Sequence, residues 1–184
     1  MPFFGFLNAD ATMIDLWRRH PARLLALGKY TESVMRGPSS LSPAERELIA
    51  AYVSGLNQCR YCHGAHKAFA VAHGVDPDLI EIMLTDLDGA RVEPKLKPLL
   101  RYCRKLTEAP ARLTAADVAA ARQAGWPEEA IEDAVHVAAI FNFYNRLMDG
   151  HGIAPRSDEA NRARAAFIKQ YGYDFSAYPE AARP

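Results

Sequence analysis

Apolar residues recur along the chain with the three- and four-residue spacing of helical faces, from the first segment to the last. No segment shows the sustained alternation of apolar and polar residues that is typical of a half-buried strand. We therefore expect an all-α fold. The predicted helical segments are Thr12–His20, Pro21–Arg36, Pro43–Leu56, Cys59–His73, Pro77–Thr85, Glu93–Glu108, Thr114–Gly125, Pro127–Met148 and Ser157–Gln170.

The third and fourth predicted helices are joined by a short turn, which indicates a helical hairpin. Ser42 begins a capping-box pattern that has a proline at the first helical position, and this predicts a helix from Pro43. Asn57 and Gln58 then interrupt the apolar pattern. Gly74 follows the next helix, at the position where glycine commonly ends a helix. We expect the two helices to fold back on each other about Asn57.

The longest predicted helix, 127–148, is apolar on nearly every face, so it should be buried by the rest of the domain or by a partner subunit. Both ends of the chain are rich in aromatic residues, which suggests surfaces that need a neighbour. These residues are Phe3, Phe4, Phe6, Tyr171, Tyr173, Phe175 and Tyr178. We interpret residues 1–184 as one domain in which 1–11 and 171–184 are terminal arms.

The amino-acid composition argues against several classes of partner and location. The chain has 184 residues, a length that suits one domain with a sizeable core. Its 22 basic and 22 acidic residues give a formal charge of zero without a basic run, which argues against nucleic-acid and membrane-surface partners. No apolar stretch reaches the ~18–20 residues of a membrane span. Three cysteines, an odd number, without an export signal predict a reducing cytoplasmic location.

Cys59 and Cys62 form a C-x-x-C pair at the start of the fourth predicted helix, and His66 lies one turn further along. Spacings of three and four residues place these side chains on one face of that helix. In a hairpin, Glu47 of the preceding helix falls nearly level with His66. The small residues near Glu47, which would let the helices approach closely, are Ala51, Ser54 and Gly55. The sequence thus predicts two thiols, an imidazole and a carboxylate within reach of one another.

These groups have the chemistry that a redox centre requires. A thiol reacts as its thiolate, and the positive end of a helix dipole lowers the pKa of a nearby cysteine from about 8.5. We therefore expect lowered thiol pKa values for Cys59 and Cys62. Such a pair can close a disulfide, so one thiol can attack an oxidant and the other can resolve the sulfenic acid. An imidazole held by a carboxylate can accept and return the proton near neutral pH, and His66 and Glu47 fit these roles.

The spacing Glu-x11-Cys-x2-Cys-x3-His, from Glu47 to His66, resembles the motif of AhpD-like alkylhydroperoxidases in the carboxymuconolactone decarboxylase superfamily. The segment 141–150, Phe-Asn-Phe-Tyr-Asn-Arg-Leu-Met-Asp-Gly, resembles the peroxidase-related branch of that superfamily. The resemblance extends from Ser42 to Ile153. It implies an AhpD-like helical bundle built around the C-x-x-C hairpin, and a homo-oligomer that is a trimer or a hexamer.

The resemblance also implies a role for each site residue. Cys62 would attack the peroxide, and Cys59 would resolve the sulfenic acid from a position nearer the surface. Glu47 and His66 would relay protons. The best-known relatives have a histidine directly before the second cysteine, whereas this chain has Tyr61, whose hydroxyl titrates at about 10 and is a poorer base at neutral pH. Further candidates for the relay or the pocket wall are Tyr61, His63 and His151.

The leading hypothesis is a thiol-dependent peroxidase, an oxidoreductase that reduces a hydroperoxide through a dithiol–disulfide cycle without a cofactor or metal. Its partners would be the hydroperoxide substrate and a lipoyl or thioredoxin-like reductant. Decarboxylation is disfavoured because the decarboxylases of the superfamily lack this dithiol. Two alternatives stay open. One is a dithiol redox relay or disulfide reductase without peroxide turnover, and the other is a non-enzymatic, redox-sensing oligomer.

Other interpretations of the cysteines are weaker. Buried cysteines are common in apolar helices, and a buried thiol is the default interpretation of Cys103. Structural zinc needs four ligands, and the chain has no second C-x-x-C and no H-x3-H pair. The segment 59–63 also matches the C-x-x-C-H signature of covalent haem attachment. That modification belongs to exported proteins, and residues 1–10 lack the basic and apolar regions of a signal peptide.

Overall fold

The computed structural model describes residues 1–174 and 176, and these contain α-helices and one short 3-10 helix but no strand. The prediction of an all-α fold is confirmed. The helices are α1 (Met13–Arg19), α2 (Pro21–Arg36), α3 (Pro43–Leu56), α4 (Arg60–Ala72), α5 (Pro77–Thr85), α6 (Leu96–Glu108), α7 (Ala115–Gln123), α8 (Glu128–His151) and α9 (Asp158–Tyr171), with the 3-10 helix Pro110–Arg112 between α6 and α7.

The start of α3 follows the sequence prediction in detail. The Ser42 hydroxyl accepts a hydrogen bond from the Glu45 N–H at 3.2 Å, and the Glu45 carboxylate accepts one from the Ser42 N–H at 2.7 Å. This reciprocal cap satisfies two N–H groups that have no partner inside the helix, and Pro43 needs none. The helix therefore begins at a position set by local chemistry.

Two helix boundaries differ from the prediction by three residues. α6 begins at Leu96 instead of Glu93, because Pro98 has no N–H to donate back to residue 94 and is tolerated only in a first turn. α8 continues past the predicted end at 148 to His151. It ends at Gly152, whose φ is +69° and whose left-handed conformation lets the Ile153 N–H reach the Met148 carbonyl at 3.0 Å.

The central element is α3, in which every residue from Arg46 to Ser54 is buried. It packs against α2, α4, α5, α6 and α8. Close approach is required at its C-terminal end, since a Cβ on Gly55 would lie 2.5 Å from Leu84 and 3.0 Å from the ring of His63. The largest of the interfaces between helices joins α3 to α4, and α9 covers another side of α4.

The turn between α3 and α4 is tight. Gln58 adopts a left-handed conformation with φ +58°, and its N–H bonds the Gly55 carbonyl at 2.9 Å. The next N–H, of Cys59, bonds the Ser54 carbonyl at 3.0 Å. These bonds close the end of α3 and place Cys59 directly before the first residue of α4. The fourth helix therefore starts one residue later than predicted.

The two segments that the sequence analysis interpreted as terminal arms contact the rest of the chain where they are described. The Phe3 N–H bonds the His151 carbonyl at 3.0 Å, and Ala11 is buried. At the other end Tyr173 is only 7% exposed. Phe175 and Tyr178, which the prediction also placed in an aromatic arm, lie outside the described residues.

α8 is buried on one side only. Val137, Phe141 and Met148 are within the core, whereas Phe143 is 50% exposed. Burial of that face would therefore need a partner subunit, which was one of the two predicted possibilities. Within the described residues, no helix combines the length and the apolar character needed to cross a bilayer.

Candidate active site

The α3–α4 pair brings Glu47 and His66 into direct contact. Glu47 has 0% exposure, and its Oε2 accepts a hydrogen bond from Nδ1 of His66 at 2.7 Å. Because a carboxylate can only accept, His66 carries its proton on Nδ1 when the ring is neutral. The other ring nitrogen, Nε2, is then free to accept a proton from a group on the cavity side.

Two further donors reach the other oxygen of Glu47. Oε1 accepts hydrogen bonds from Arg36 Nη2 at 2.5 Å and from the Tyr173 hydroxyl at 2.7 Å. Burial by itself would raise the pKa of Glu47. The hydrogen bond and charge of His66, the charge of Arg36 and the hydrogen bond from Tyr173 outweigh burial and lower that pKa. Glu47 is therefore a buried carboxylate that stays ionised.

Tyr173 was assigned from the sequence to a terminal arm, but the structure places it inside the protomer. Its backbone N–H bonds Glu32 at 2.5 Å, and its ring lies nearly parallel to that of His66 at 6.3 Å. Burial and the charge of Glu47 raise the pKa of its hydroxyl well above the usual value, so the phenol keeps its proton and donates it in a hydrogen bond.

Aromatic rings also hold the imidazole of His66 in place. The centroid of its ring lies 4.2 Å from that of Phe141 and 4.9 Å from that of Phe69, and both contacts are edge-to-face. The hydrogen bond to Glu47 and these two contacts fix the orientation of the imidazole ring and therefore the position of Nε2.

Both cysteines of the C-x-x-C pair are buried free thiols. Cys62 is 5% exposed and lines a cavity, whereas Cys59 has 0% exposure and lies outside the cavity wall. The expectation that Cys59 lies nearer the surface is therefore wrong. The reason is that Cys59 precedes the helix in a turn that is closed against Ser54, while Cys62 lies one turn into the helix.

The expected lowering of the thiol pKa is wrong for Cys62. A hydrogen bond with the Cys59 sulfur and burial raise the pKa of Cys62 well above its usual value, and Cys59 also acts through its charge. A hydrogen bond from Asn145 acts in the opposite direction and is the smaller effect. In this site, desolvation and the neighbouring sulfur outweigh the helix dipole.

Asn145 belongs to a buried amide network that the sequence analysis did not assign to the site. It is 1% exposed, its Nδ2 donates to Ser54 Oγ at 3.0 Å, and its Oδ1 accepts from Asn57 Nδ2 at 2.8 Å. The network joins α8 to the turn before the cysteines. An asparagine among the apolar residues of the buried face of α8 was the signal that could have identified it.

The cavity beside Cys62 has a volume of about 50 Å³. This is more than the ~10–15 Å³ that one water molecule requires. Residues of α1, α2, α4, α8 and α9 and of the segments that flank α9 form its wall. The wall is mostly apolar and includes Trp17, Phe69, Phe141 and Ile168 beside Cys62 and His66. Cys62 and His66 thus line the same cavity.

The other candidates lie in different places. Tyr61 lines the cavity, but its hydroxyl accepts a hydrogen bond from the Met13 N–H at 3.3 Å, and burial raises its pKa. His63 faces away from the cavity and bonds the Ala51 carbonyl at 3.0 Å and the Glu81 carboxylate at 3.1 Å.

His151 is also remote from the cavity. It is the last residue of α8 and bonds the Leu147 carbonyl at 2.7 Å. Its ring contacts Phe4, with 5.1 Å between the centroids. The structure therefore brings Tyr61 to the cavity wall but not His63 or His151.

Arg36 and Tyr173 were missed because nothing in their local sequence links them to the motif. Arg36 is the last residue of α2, eleven positions before Glu47, and Tyr173 follows the last helix. Only the packing of α2 and of the segment after α9 against α3 brings them to the carboxylate. Among the described residues, no group of three or more His, Cys, Asp and Glu side chains is arranged to hold a metal ion.

Comparison with known proteins supports the resemblance. A model of the carboxymuconolactone decarboxylase family matches residues 21–96, a segment that includes α2, α3, α4 and α5. A search of curated proteins found no match.

Solved structures give a wider match. An uncharacterised peroxidase-related protein of Silicibacter sp. TM1040 is 29% identical with a TM-score of 0.74, over 79% of this chain and 76% of that one. A peroxidase-related protein of Ralstonia eutropha JMP134, described as an alkylhydroperoxidase AhpD core, is 25% identical with a TM-score of 0.75, over 82% of this chain and 80% of that one.

A third structure shares the fold. It is a protein of unknown function from Agrobacterium tumefaciens with the provisional name antioxidant defence protein AhpD, and it is 18% identical with a TM-score of 0.67, over 80% of this chain and 99% of that one. Together with the family model, these matches confirm the predicted resemblance to the superfamily and its peroxidase-related branch, as well as the AhpD-like helical fold.

Proposed function

We propose that this chain, a relative of the peroxidase-related, AhpD-like proteins of the carboxymuconolactone decarboxylase superfamily, is a thiol-dependent peroxidase. The observation that carries the proposal is the buried contact of 2.7 Å between Glu47 and His66, with His66 and Cys62 facing one cavity. A base held by a carboxylate beside a thiol is the arrangement that a peroxide-reducing cysteine requires. The names of the structural neighbours agree with this class of reaction.

The first step is attack on the peroxide by Cys62. His66 Nε2 takes the thiol proton, and the sulfur attacks the terminal oxygen of the hydroperoxide. The S–O bond forms, the O–O bond breaks, and the leaving alkoxide takes the proton from His66 and departs as the alcohol. Cys62 is left as a sulfenic acid, oxidised by two electrons, and the peroxide is reduced by two electrons.

The second step closes the disulfide. The Cys59 sulfur attacks the Cys62 sulfur, the S–S bond forms, and the sulfenic oxygen leaves as water with the proton of Cys59. An external dithiol, which we propose to be of the lipoyl or thioredoxin type, then returns two electrons and two protons. The net reaction converts one hydroperoxide and one reduced dithiol into an alcohol, a water molecule and a disulfide.

The raised pKa of Cys62 supports a requirement for His66. A thiol whose pKa is well above its usual value is protonated near neutral pH, so little of Cys62 is thiolate at rest. A base beside the sulfur can remove the proton as the S–O bond forms. Glu47 keeps the imidazole oriented and stabilises its positive charge during that transfer.

The decisive experiment is steady-state consumption of hydrogen peroxide and tert-butyl hydroperoxide by the purified protein, with dihydrolipoamide as the reductant. We expect sustained turnover that stops when dihydrolipoamide is left out. The matched control is a Cys59→Ser/Cys62→Ser double variant, which should consume peroxide at the rate of buffer alone. An equal rate for the protein and this control would reject the proposal.

A second candidate function is a dithiol redox relay without peroxide turnover. The complete burial of Cys59 and the engagement of the Tyr61 hydroxyl by the Met13 N–H favour it, because both reduce access and proton transfer on that side of the pair. Reversible disulfide formation in the absence of steady peroxide consumption would select this function.

We also propose that the protein is a homo-oligomer, a trimer or a hexamer. The exposed aromatic side chains of Phe3 (73%), Phe6 (48%) and Phe143 (50%) support this, because large exposed apolar groups are typical of interfaces. Sedimentation velocity at micromolar concentration measures the state directly, and a single monomeric species would reject the proposal.

A further inference from the structure

The cavity beside Cys62 contains two positive charges and no negative one on its wall. Arg156 and Arg164 are both half-buried lining residues, and none of the described lining residues is Asp or Glu. In a protein with equal numbers of basic and acidic residues, this is a local excess of positive charge. From it we infer that the cavity binds small ligands that carry a carboxylate, and that the preferred substrate of the proposed peroxidase is a short hydroperoxide bearing a carboxylate. The substrate part of this inference rests on the proposed function.

Each of the two guanidinium groups lies close to an aromatic ring. Arg156 Cζ lies 5.2 Å from the centroid of the Tyr61 ring, and Arg164 Cζ lies 4.9 Å from that of Phe167. The charges of both arginines act on the Tyr61 hydroxyl. Since both arginines line the same cavity as Cys62, an anionic group held by them would lie in the space that the sulfur faces.

Two carboxylates act on the centre from outside the cavity wall. Glu47 lies behind His66 and is already paired with Arg36. Asp149 acts on Cys62 from an exposed position on α8 and is not part of the cavity wall. Within the described residues Arg156 makes no ion pair, so its charge is available to a ligand.

The shape of the cavity selects the size of the ligand. A volume of about 50 Å³ is several times the ~10–15 Å³ that one water molecule requires, so it favours a short ligand over a long chain. The apolar wall suits those carbons, and a guanidinium group binds a carboxylate through paired N–H···O bonds. These properties together favour a short, anionic organic molecule over hydrogen peroxide or a neutral lipid peroxide.

Paired alkylating reagents test the charge preference without any peroxide. Iodoacetate and iodoacetamide react with a thiolate in the same way: an S–C bond forms, the C–I bond breaks and iodide leaves. We measure the rate constants of both at Cys62 by peptide mass spectrometry, and at a neutral small thiol, N-acetylcysteinamide. The ratio of the iodoacetate to the iodoacetamide rate should be about tenfold higher at Cys62 than at the small thiol, because charge-assisted hydrogen bonds act on one reagent only.

Variants identify the source of the preference. Arg156→Gln/Arg164→Gln should lower the ratio about tenfold, to that of the small thiol. Arg162→Gln, which removes an exposed arginine of α9 outside the cavity wall, should leave it unchanged. Arg156→Lys keeps a cation and should retain most of the preference. A wild-type ratio no higher than that of the small thiol, or a ratio that the double variant leaves intact, would overturn the inference.

A measurement on the wild-type protein covers the case in which the double variant fails to fold. The rate ratio at Cys62 should fall as NaCl is raised from about 20 mM to 500 mM, because salt screens the attraction between charges. The reaction of iodoacetamide serves as the neutral reference at each salt concentration. A ratio that does not change with salt would contradict an electrostatic preference.

A last experiment distinguishes a failure of this inference from a failure of the proposed function. We compare 4-hydroperoxy-4-methylpentanoate with its methyl ester, which differs only in charge and one methyl group, and expect kcat/KM to be about tenfold higher for the acid. A preference for iodoacetate without turnover of either peroxide would keep the carboxylate site and reject the peroxidase. Equal turnover of the two peroxides without a preference for iodoacetate would keep the peroxidase and reject the carboxylate site.

Discussion

The protein holds buried thiols in two regions that differ in their polar surroundings. Cys103 of α6 has 0% exposure, and burial raises its pKa to about 12. Cys62 of α4 also has a raised pKa, through the adjacent Cys59 sulfur and through burial. Around Cys62, however, the structure places the amide of Asn145, the imidazole of His66 and a cavity. Cys103 does not line that cavity.

From this difference we expect that the pKa of a thiol in the resting protein does not by itself predict which of Cys62 and Cys103 reacts. Both thiols are protonated at neutral pH, so neither is a ready nucleophile by itself. A reacting cysteine needs a base that accepts its proton and a space in which a substrate can approach. Cys62 and His66 line one cavity, whereas Cys103 does not line that cavity. Each of the following changes tests one part of this contrast.

The largest effect is expected from the C-x-x-C pair. Cys62→Ser should lower peroxide turnover by about a thousandfold or more, because the attacking sulfur is lost. Cys59→Ser should allow one oxidation of Cys62 and then stop at the sulfenic acid, which a dimedone adduct detected by mass spectrometry would reveal. If Cys59→Ser prevents oxidation and Cys62→Ser permits a single one, the two roles are exchanged.

Glu47→Gln should have the next largest effect. The change removes the charge that orients His66 and leaves Arg36, whose side chain is 14% exposed, without its counter-charge. We expect turnover to fall about a hundredfold and the free energy of unfolding to fall by about 3 kcal/mol or more. Glu93→Gln, at an exposed surface pair with Lys95, is the matched control and should change neither.

The same variant tests a pH dependence of stability. The pKa of Glu47 is lower in the folded protein than the usual 4.5, so the ionised form stabilises the fold above pH 4.5. That stabilisation should be lost as the pH falls below 4.5 and through the folded-state pKa. Urea unfolding of both proteins at neutral and at acidic pH measures it, and Glu47→Gln should show a smaller loss in acid. If acid lowers the free energy of unfolding of the wild-type protein and of the variant by the same amount, Glu47 is not ionised in the folded protein.

Asn145→Leu should have a smaller effect on the reaction. The Asn145 amide lowers the pKa of Cys62, so its removal should move the pH dependence of Cys62 alkylation by iodoacetamide to higher pH. The lost partners of Ser54 and Asn57 should also cost about 1–3 kcal/mol of stability. Asn142→Leu removes another amide that bonds Asn57 and should destabilise the protein without moving that pH dependence.

Cys103→Ser should have the smallest effect on turnover. We expect peroxide consumption within about twofold of the wild-type rate, because Cys103 is in neither the cavity wall nor the relay. A hydroxyl in place of the buried thiol should lower the free energy of unfolding by about 1–3 kcal/mol. If this variant loses turnover while it remains folded at the assay temperature, the contrast between the two thiol regions fails.

The sequence alone was sufficient for those features that depend on neighbouring residues. The start of α3 at Pro43 depends on the Ser42–Glu45 cap, and the shared face of Cys62 and His66 follows from helical spacing. The pairing of Glu47 with His66 was also predictable, because a tight turn places residues equidistant from it at the same height in two packed helices. For the same reason, the all-α class could be predicted from periodicity.

Tertiary packing decided everything that depends on residues distant in the chain. Arg36 and Tyr173 reach Glu47 from α2 and from the segment after α9, and Asn145 reaches Cys62 from α8. The direction of the pKa shift at Cys62 depended on burial, which local spacing does not specify. Local hydrogen bonds and periodicity act over a few residues, whereas desolvation and through-space charge depend on which surfaces the fold brings together. The sequence therefore determined which groups of α3 and α4 lie close together, and the packing decided the ionisation of Glu47 and Cys62 and the charge of the cavity beside them.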